Sequence, residues 1–290
     1  MNGILLIDKE TDWTSNDVVA KLKGILHERR IGHSGTLDPM ATGLLVAFVG
    51  RATRAVEFAE GHDKRYLAAL RLGVSTDTQD ITGNVLRESP ANVSEAELRS
   101  VLRRFTGEIM QIPPMYSAIK VNGKRLYEIA RKGGEVERAA RSVNIYGIDL
   151  VGRNGEDYLL DVRCSKGTYI RTLCNDIGEA LGCGGCMSGL RRTGAGGFTV
   201  DKAVTIGEVQ RMADEGRAEE LLIPTDSLFS SLPALTANVA QEKKIRCGSA
   251  IKTAAADGKY RVYSVQGEFL MLGEAQNGMI KTIKSFFEVN

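Results

Sequence analysis

Gly32-His33-Ser34-Gly35-Thr36-Leu37-Asp38-Pro39-Met40-Ala41-Thr42-Gly43 is the stretch on which the reading of this chain turns. Its three glycines open backbone conformations that other residues resist. Pro39 biases Asp38 away from helical geometry. The whole segment from Gly32 to Gly43 therefore reads as a stiffened loop that displays one carboxylate between regular elements, a common setting for catalytic groups. Read alone, it fits a plain turn as well as a catalytic loop. No Gly-Lys-Ser/Thr follows, so it is not a Walker motif, and it does not match the dinucleotide fingerprint.

Working outward, the flanking elements alternate in type. Ile4-Leu5-Leu6-Ile7 is an apolar run that predicts a strand. Thr14-x-x-Asp17 has the form of a capping box, and Val18, Val19, Leu22, Ile25 and Leu26 recur at helical spacing, predicting a helix to about Arg29. Leu44 to Val49 returns to a buried strand-like run, and Tyr66 to Leu72 reads as another strand. Asp77 to Gly83 is a polar loop. Ser94-x-x-Glu97 predicts a second helix start, and Ile112-Pro113-Pro114 breaks the pattern. Tyr158 to Cys164 alternates like a half-buried strand. Ile170, Leu173, Ile177 and Leu181 mark a helix beginning near Thr168 and stopped by Gly182. Strands and helices mixed in this order predict an α/β or α+β core. A boundary falls near residues 225–233, giving domains 1–228 and 229–290. In the second, Tyr260 to Leu272 alternates around a Gln266-Gly267 turn, predicting a hairpin in a small β-rich module.

Bulk properties remove several classes. The 290 residues are 43% hydrophobic and 26% charged, an ordinary globular balance, and suffice for a catalytic domain with a smaller appended one. No apolar run approaches the roughly 20 residues of a spanning helix, and the first residues lack a signal-peptide pattern, so a cytoplasmic, membrane-free protein is expected. Five cysteines are an odd number, and Cys183-Gly184-Gly185-Cys186 has no second close pair to make a zinc ribbon. His27, His33 and His62 form no familiar metal spacing, so no metal is expected. Net charge is +2, which argues against a general polyelectrolyte binder. Locally, however, residues 112–141 hold seven cations (Lys120, Lys124, Arg125, Arg131, Lys132, Arg138, Arg141) against three anions. That stretch fits a solvated surface and a nucleic-acid face equally.

Five ordered blocks, spanning roughly residues 3–200, carry a resemblance. Gly32 to Gly43 resembles the signature loop of the TruB family, the tRNA pseudouridine-55 synthases. Gly3 to Lys9 resembles its N-terminal strand motif and Asp63-Lys64-Arg65-Tyr66 its tyrosine motif. Gln111 to Lys120 resembles its RNA-gripping insertion, and Cys164 to Arg171 its arginine motif. Glu10 stands where the family usually has proline, and Leu190 to Phe198 is richer in glycine than the usual pattern.

The resemblance implies a pseudouridine synthase fold: a mixed, largely antiparallel central sheet flanked by helices, with a PUA-like C-terminal domain. It implies conversion of uridine-55 in the tRNA T-loop to pseudouridine, without cofactor, and with Asp38 as catalytic aspartate. Arg171 would pair with Asp38 and keep it ionised. Tyr66 would stack on the target base, Tyr169 and Leu190 would line its pocket, and His33 would fill the space the flipped nucleotide leaves. The insertion at about 112–142 would close over the T-arm. Lys64, Lys120, Lys124, Arg125 and Arg141 are the expected RNA-backbone contacts, and Lys9 is expected to support either the active-site neighbourhood or the RNA backbone. One chain supplies this whole site, so a monomer is expected. A non-catalytic tRNA-binding or folding protein is the alternative, and a phosphate- or nucleotide-binding enzyme using the Gly-rich loop a third reading.

Overall fold

The computed structural model describes residues 1–117, 120–121, 123–130, 133–134 and 136–287. The N-terminal half begins with β1 (Gly3–Lys9), α1 (Ser15–Leu26), β2 (Ile31–Ser34), β3 (Thr42–Val49) and the short α2 (Val56–Glu60). Next come β4 (Lys64–Leu72), a small ribbon of β5 (Val74–Thr76) and β6 (Val85–Glu88), then α3 (Glu95–Arg104) and β7 (Gly107–Gln111). The segment after β7 holds a ribbon, β8 (Lys120–Val121) with β9 (Lys124–Arg125), and α4 (Leu126–Ala130). The sheet resumes with β10 (Arg141–Asn154) and β11 (Asp157–Cys164), followed by α5 (Ile170–Ala180), β12 (Gly185–Ala195), β13 (Phe198–Thr199) and α6 (Ile206–Asp214). A second sheet uses β14 (Ala234–Thr236), α7 (Val239–Arg246), β15 (Ile251–Lys252), β16 (Gly258–Tyr263), β17 (Phe269–Gln276) and β18 (Met279–Ser285).

The main sheet runs β1-β3-β12-β4-β11-β10-β7, with β2 and β13 paired onto it. Every pairing is antiparallel except β12 on β3, where Arg191 faces Thr42 and Arg192 faces Gly43. This is the mixed, largely antiparallel sheet expected. β1 and β3 are apolar without alternation because both faces are covered. Leu5, Ile7, Leu45, Ala47 and Val49 pack on α1 and α6, while Ile4, Leu6, Leu44, Val46 and Phe48 pack on the opposite side. β4 and β11 alternate because one face only meets helices, with Ala68, Leu70, Leu160 and Val162 against α3 and α5.

Three boundaries differ from the sequence reading. α1 ends at Leu26, not Arg29, because His27 adopts φ 49° and ends the helix with a left-handed residue. α5 starts at Ile170 because Gly167, at φ +80°, turns the chain just before it. The Gly32–Gly43 stretch is a loop only in its middle. Its first residues belong to β2 and its last to β3, since both pair with the rest of the sheet.

The five-stranded C-terminal sheet, ordered β14-β16-β17-β18-β15, contains the Tyr260–Leu272 hairpin and has its own apolar cluster. It is also fused to the main sheet. Phe229 sits between Phe58 and Phe286, with ring centroids 5.3 Å and 6.1 Å away, and Phe286 stacks on Phe269 at 4.9 Å. Arg54 donates to the Ser285 carbonyl and hydroxyl across the same seam, at 3.0 and 2.7 Å. No helix among the described residues is long and apolar enough to cross a membrane.

Candidate active site

The one parallel seam in the sheet, where β3 starts beside β12, is where the Asp38 loop leaves the sheet. The loop is fixed from below by side chains bonded to its main chain. Ser15, at the start of α1, donates its hydroxyl to Leu37 O at 3.3 Å and accepts from Leu37 N at 2.9 Å. Lys9 is 1% exposed and donates from Nζ to Glu10 O, Trp13 O and Pro39 O at 2.9, 2.7 and 3.1 Å. The Asp12 N–H donates to Pro39 O at 2.9 Å. Ala41 N donates to Asp38 O at 3.0 Å, closing a turn with Pro39 at its second position, where proline's fixed φ suits it. Arg192 is also 1% exposed and donates to Leu44 O at 2.7 Å and Gly35 O at 3.0 Å, tying together the loop's two ends. Gly43, at φ +93°, is required here: a Cβ would sit 2.4 Å from Arg192 O.

Above the loop stands a buried guanidinium. Arg171, one residue into α5, has Nη2 3.3 and 3.2 Å from the two carboxylate oxygens of Asp38 and 2.8 Å from Tyr116 O. Its Nη1 lies 3.3 Å from Asp80. Arg171 is thus no surface arginine: its side chain is 8% exposed and shared between two carboxylates. Asp80 is buried and holds three further donors, Thr78 Oγ1, Thr82 N and Thr82 Oγ1. In sequence it is one residue of the polar Asp77–Gly83 loop. The density of Thr and Asp from Thr76 to Thr82 was the available signal, since these side chains fold loops onto their own carboxylates.

The electrostatics depart from the simple ion-pair expectation. The Asp38 side chain is 38% exposed on its open side. Its carboxyl lies above the usual aspartate range because burial of the rest outweighs Arg171, with Asp80 adding a like charge and Lys9 pulling the other way. Burial likewise lowers Lys9 to about 8, against the attraction of Asp38 and Asp12. His33 is lowered by burial and by the Arg192 charge, and its buried Nδ1 has no hydrogen-bond partner among the described residues.

The structure brings the other expected residues to the same place, with adjustments. Tyr66 faces Arg192 across the β4–β12 pairing and lies in one cluster with Leu37 and Ala41, only 8% exposed. Burial raises its phenol, and the neighbouring Arg192 lowers it. Tyr169 is the N-cap residue of α5, half-buried, its phenol raised by burial. Leu190 packs against the same cluster. Two of the candidate RNA-backbone contacts are turned inward. Lys9 is enclosed, with its ammonium donating to three carbonyls around the Asp38 loop, which is the position of a support for the active-site neighbourhood rather than of an RNA-backbone contact. Lys64 is half-buried and donates to Glu60 O and His62 O at 3.2 and 2.6 Å. Arg141 is exposed at the start of β10. Lys120, Lys124 and Arg125 fall on the β8–β9 ribbon, but their side chains lie outside the described residues, as do Arg131 and Lys132 altogether. Among the described residues no group of three or more His, Cys, Asp or Glu side chains is arranged to hold a metal.

Comparison with known proteins agrees with this geometry. Residues 23–170 match the model of the TruB family pseudouridylate synthase N-terminal domain, and residues 171–230 that of the tRNA pseudouridylate synthase B C-terminal domain. The chain is 46% identical over 251 residues to the tRNA pseudouridine synthase B of Alkaliphilus oremlandii, covering 87% of this chain and 83% of that one. It is 44% identical over 282 residues to the enzyme of the same name from Aromatoleum aromaticum, covering 97% and 91%. Among solved structures, a chain of the archaeal box H/ACA sRNP Nop10–Cbf5 complex superposes with a TM-score of 0.72 at 25% identity, over 99% of this chain and 87% of that chain. A carboxylate on a clamped loop, a buried arginine facing it and this pattern of relatives lead to one assignment: the chain belongs to the TruB family of pseudouridylate synthases.

Proposed function

We propose that this chain is a tRNA pseudouridine synthase that isomerises uridine-55 in the T-loop, with Asp38 as nucleophile. The observation that carries the reading is the Asp38 carboxylate, open on one side, held by Arg171 on a loop whose backbone is bonded at both ends and in the middle. The relatives at 46% and 44% identity are named tRNA pseudouridine synthase B, which supports tRNA pseudouridine formation.

The reaction breaks the N1–C1′ bond, turns the uracil and forms a C5–C1′ bond. A proton leaves C5 and one is gained at N1, so atoms balance without a redox partner. Whether the carboxylate attacks C1′, attacks C6 or takes a sugar proton, it must be ionised to act. Arg171 stabilises that ionised form and orients it, while Asp80 holds Arg171 from the far side. The target nucleotide has to leave its stack, which costs a few kcal/mol. In this reading Tyr66, Tyr169 and Leu190 form the floor and wall for the extruded base, and His33 takes the space it leaves. An aromatic or apolar surface suits any base face.

The insertion at about 112–142 grips the T-arm by phosphate contacts, with Arg141 at its edge. Affinity should then fall as salt rises. Residues 1–228 form the catalytic domain and 229–290 a PUA-like RNA-binding domain. The protein works as a cytoplasmic monomer. Incubation with unmodified tRNA transcript, followed by chemical mapping of pseudouridine, tests the proposal. A single modified site at position 55, lost in Asp38→Asn, is expected. Normal turnover by Asp38→Asn would refute the role of Asp38. Tight T-arm binding with no isomerisation would favour the non-catalytic alternative.

A further inference from the structure

Gln111 is the last residue of β7, the edge strand of the main sheet, and the first residue before the insertion. A side-chain amide at such a place normally faces water. This one is 1% exposed. Its Oε1 accepts from Tyr169 N at 3.0 Å, and its Nε2 donates to Tyr169 O at 3.3 Å. The carboxamide thus occupies both backbone groups of one residue, as a neighbouring strand would. That residue is the N-cap of α5, which has no side-chain cap of its own. Tyr169 O also accepts the first helical bond, from Leu173 N at 3.0 Å, so the amide grips the helix at its first turn.

Two residues further on lies Arg171. It reaches back to the same region, donating to Tyr116 O at 2.8 Å. The root of the insertion, residues 111 and 116, is therefore bonded to the start of α5, residues 169 and 171, at two points. Between them hangs the guanidinium that faces Asp38. Its distance to that carboxylate, 3.2–3.3 Å, exceeds the roughly 2.7–2.9 Å of a strong charge-assisted bond. Small shifts of the α5 start therefore alter the pairing.

We propose that Gln111 is a positioning residue: its carboxamide, clamped on Tyr169, sets where α5 begins and so how far Arg171 reaches toward Asp38. It also ties that reach to the root of the RNA-gripping insertion. This rests on the reading of Asp38 as nucleophile. Gln111 touches neither substrate nor reacting atoms and acts only through Tyr169 and Arg171.

The test uses the full chain with a T-arm stem–loop transcript, measuring single-turnover rate against pH and RNA concentration. Gln111→Met keeps the shape and removes both bonds. Gln111→Glu keeps the acceptor for Tyr169 N but sets an oxygen against Tyr169 O. Each is expected to slow the single-turnover rate by about 10–100-fold, the scale of an ångström-level misplacement, with KM changed by less than about threefold. The acid limb should also move to higher pH. Arg171 lowers the Asp38 pKa, so a guanidinium drawn away leaves the carboxylate protonated to higher pH. The other groups facing Asp38 are Asp80 from the β5–β6 loop, Lys9 from β1, Tyr66 from β4 and Tyr169; Gln111→Met leaves the charged ones in place and moves Tyr169 only with the α5 start, whereas Gln111→Glu adds a carboxylate beside Tyr169.

A rate within about twofold of wild type in both variants overturns the proposal. So does a rate loss with an unmoved acid limb, because a purely structural role lowers melting temperature and active fraction without retuning Asp38. If Gln111→Met fails to fold, Gln111→Leu, equally uncharged and equally without the two bonds, decides by the same two criteria, because the carboxylate of Gln111→Glu would itself raise the acid limb as a like charge. Asp38→Asn run alongside separates the two levels: if it turns over, the nucleophile reading falls, and if it is dead while the Gln111 variants behave as wild type, only this inference falls.

Discussion

The Asp38 loop is held differently on its two sides. Below it, Lys9, Ser15 and Arg192 bond almost entirely to main-chain atoms. Among the described residues Arg192 pairs with no carboxylate. Above it, Arg171 is divided between two carboxylates and one carbonyl. Carbonyls do not titrate, so the lower contacts fix a backbone path whatever the protonation of the acceptors. Carboxylates do titrate, so the upper contacts set a charge balance. The lower side therefore acts on stability, and the upper side on the rate as well as, through the buried Arg171–Asp80 pair, on stability.

Asp38→Asn puts this division of roles to its severest test. With Asp38 as the proposed nucleophile, its loss should cut turnover by about 10⁴-fold or more. The melting temperature should stay level or rise at neutral pH. The sign follows from the raised folded-state pKa of Asp38: whatever stability that shift contributes is present at low pH and lost as pH rises through the folded value. At pH 7 the ionised group is thus a liability the amide removes. Pseudouridine mapping and a thermal melt on one sample check both halves.

Arg171→Met comes next. A rate loss of about 10²–10³-fold is expected, the scale of removing one preorganised electrostatic contact. Asp80 would remain buried without its cation, costing about 3 kcal/mol, read from urea melts. The acid limb of the rate should rise. Asp80→Asn sharpens the point by moving the limb the other way, because Asp80 raises the Asp38 pKa as a like charge. Two limbs moving in the same direction would mean that charge is not what the upper side controls.

Lys9→Met tests the lower side. Three part-buried carbonyls lose a donor, of which, among the described residues, Pro39 O alone keeps another from Asp12 N, and a loss of about 1–3 kcal/mol is expected. RNA affinity at low salt should hardly change. Arg141→Ala, on the exposed edge, should do the reverse: leave the melt alone, weaken binding and reduce the salt slope by about one. Equal losses of affinity in the two variants would restore Lys9 as an RNA contact.

Much of this division was legible in the sequence. Apolar runs and capping boxes placed β1, α1, β3, β4, α3, β11 and α5, because local periodicity and local hydrogen bonds decide those elements. The family motifs pointed at Asp38, Tyr66 and Arg171. What stayed hidden is long-range. Asp80 lies 91 residues from Arg171 and Gln111 lies 58 from Tyr169, and no local pattern encodes such pairings. Sequence leaves Lys9 open between active-site support and RNA contact, because the turn that encloses it is made by main-chain carbonyls that no side-chain pattern reveals. Asp12 was also silent, since φ does not show in a residue name.

Asp12 supplies the smallest effect and the sharpest check on the lower side. Its φ is +65°, a left-handed conformation that costs an L-residue free energy, and its N–H bonds to Pro39 O, where Lys9 also donates. The strain sits in the turn that closes over the Lys9 ammonium. Glycine takes that conformation freely but loses more entropy on folding, so Asp12→Gly should stabilise by only about 0.5–1 kcal/mol. Asp12 also raises the Lys9 pKa, so its removal favours the neutral amine. The gain should therefore be measured near pH 6, well below about 8, where Lys9 keeps its proton in either case. Asp12→Ala loses the same charge but keeps a Cβ at positive φ, and should lose stability. If Gly and Ala behave alike, the backbone conformation contributes nothing and the carboxylate of Asp12 accounts for the whole change.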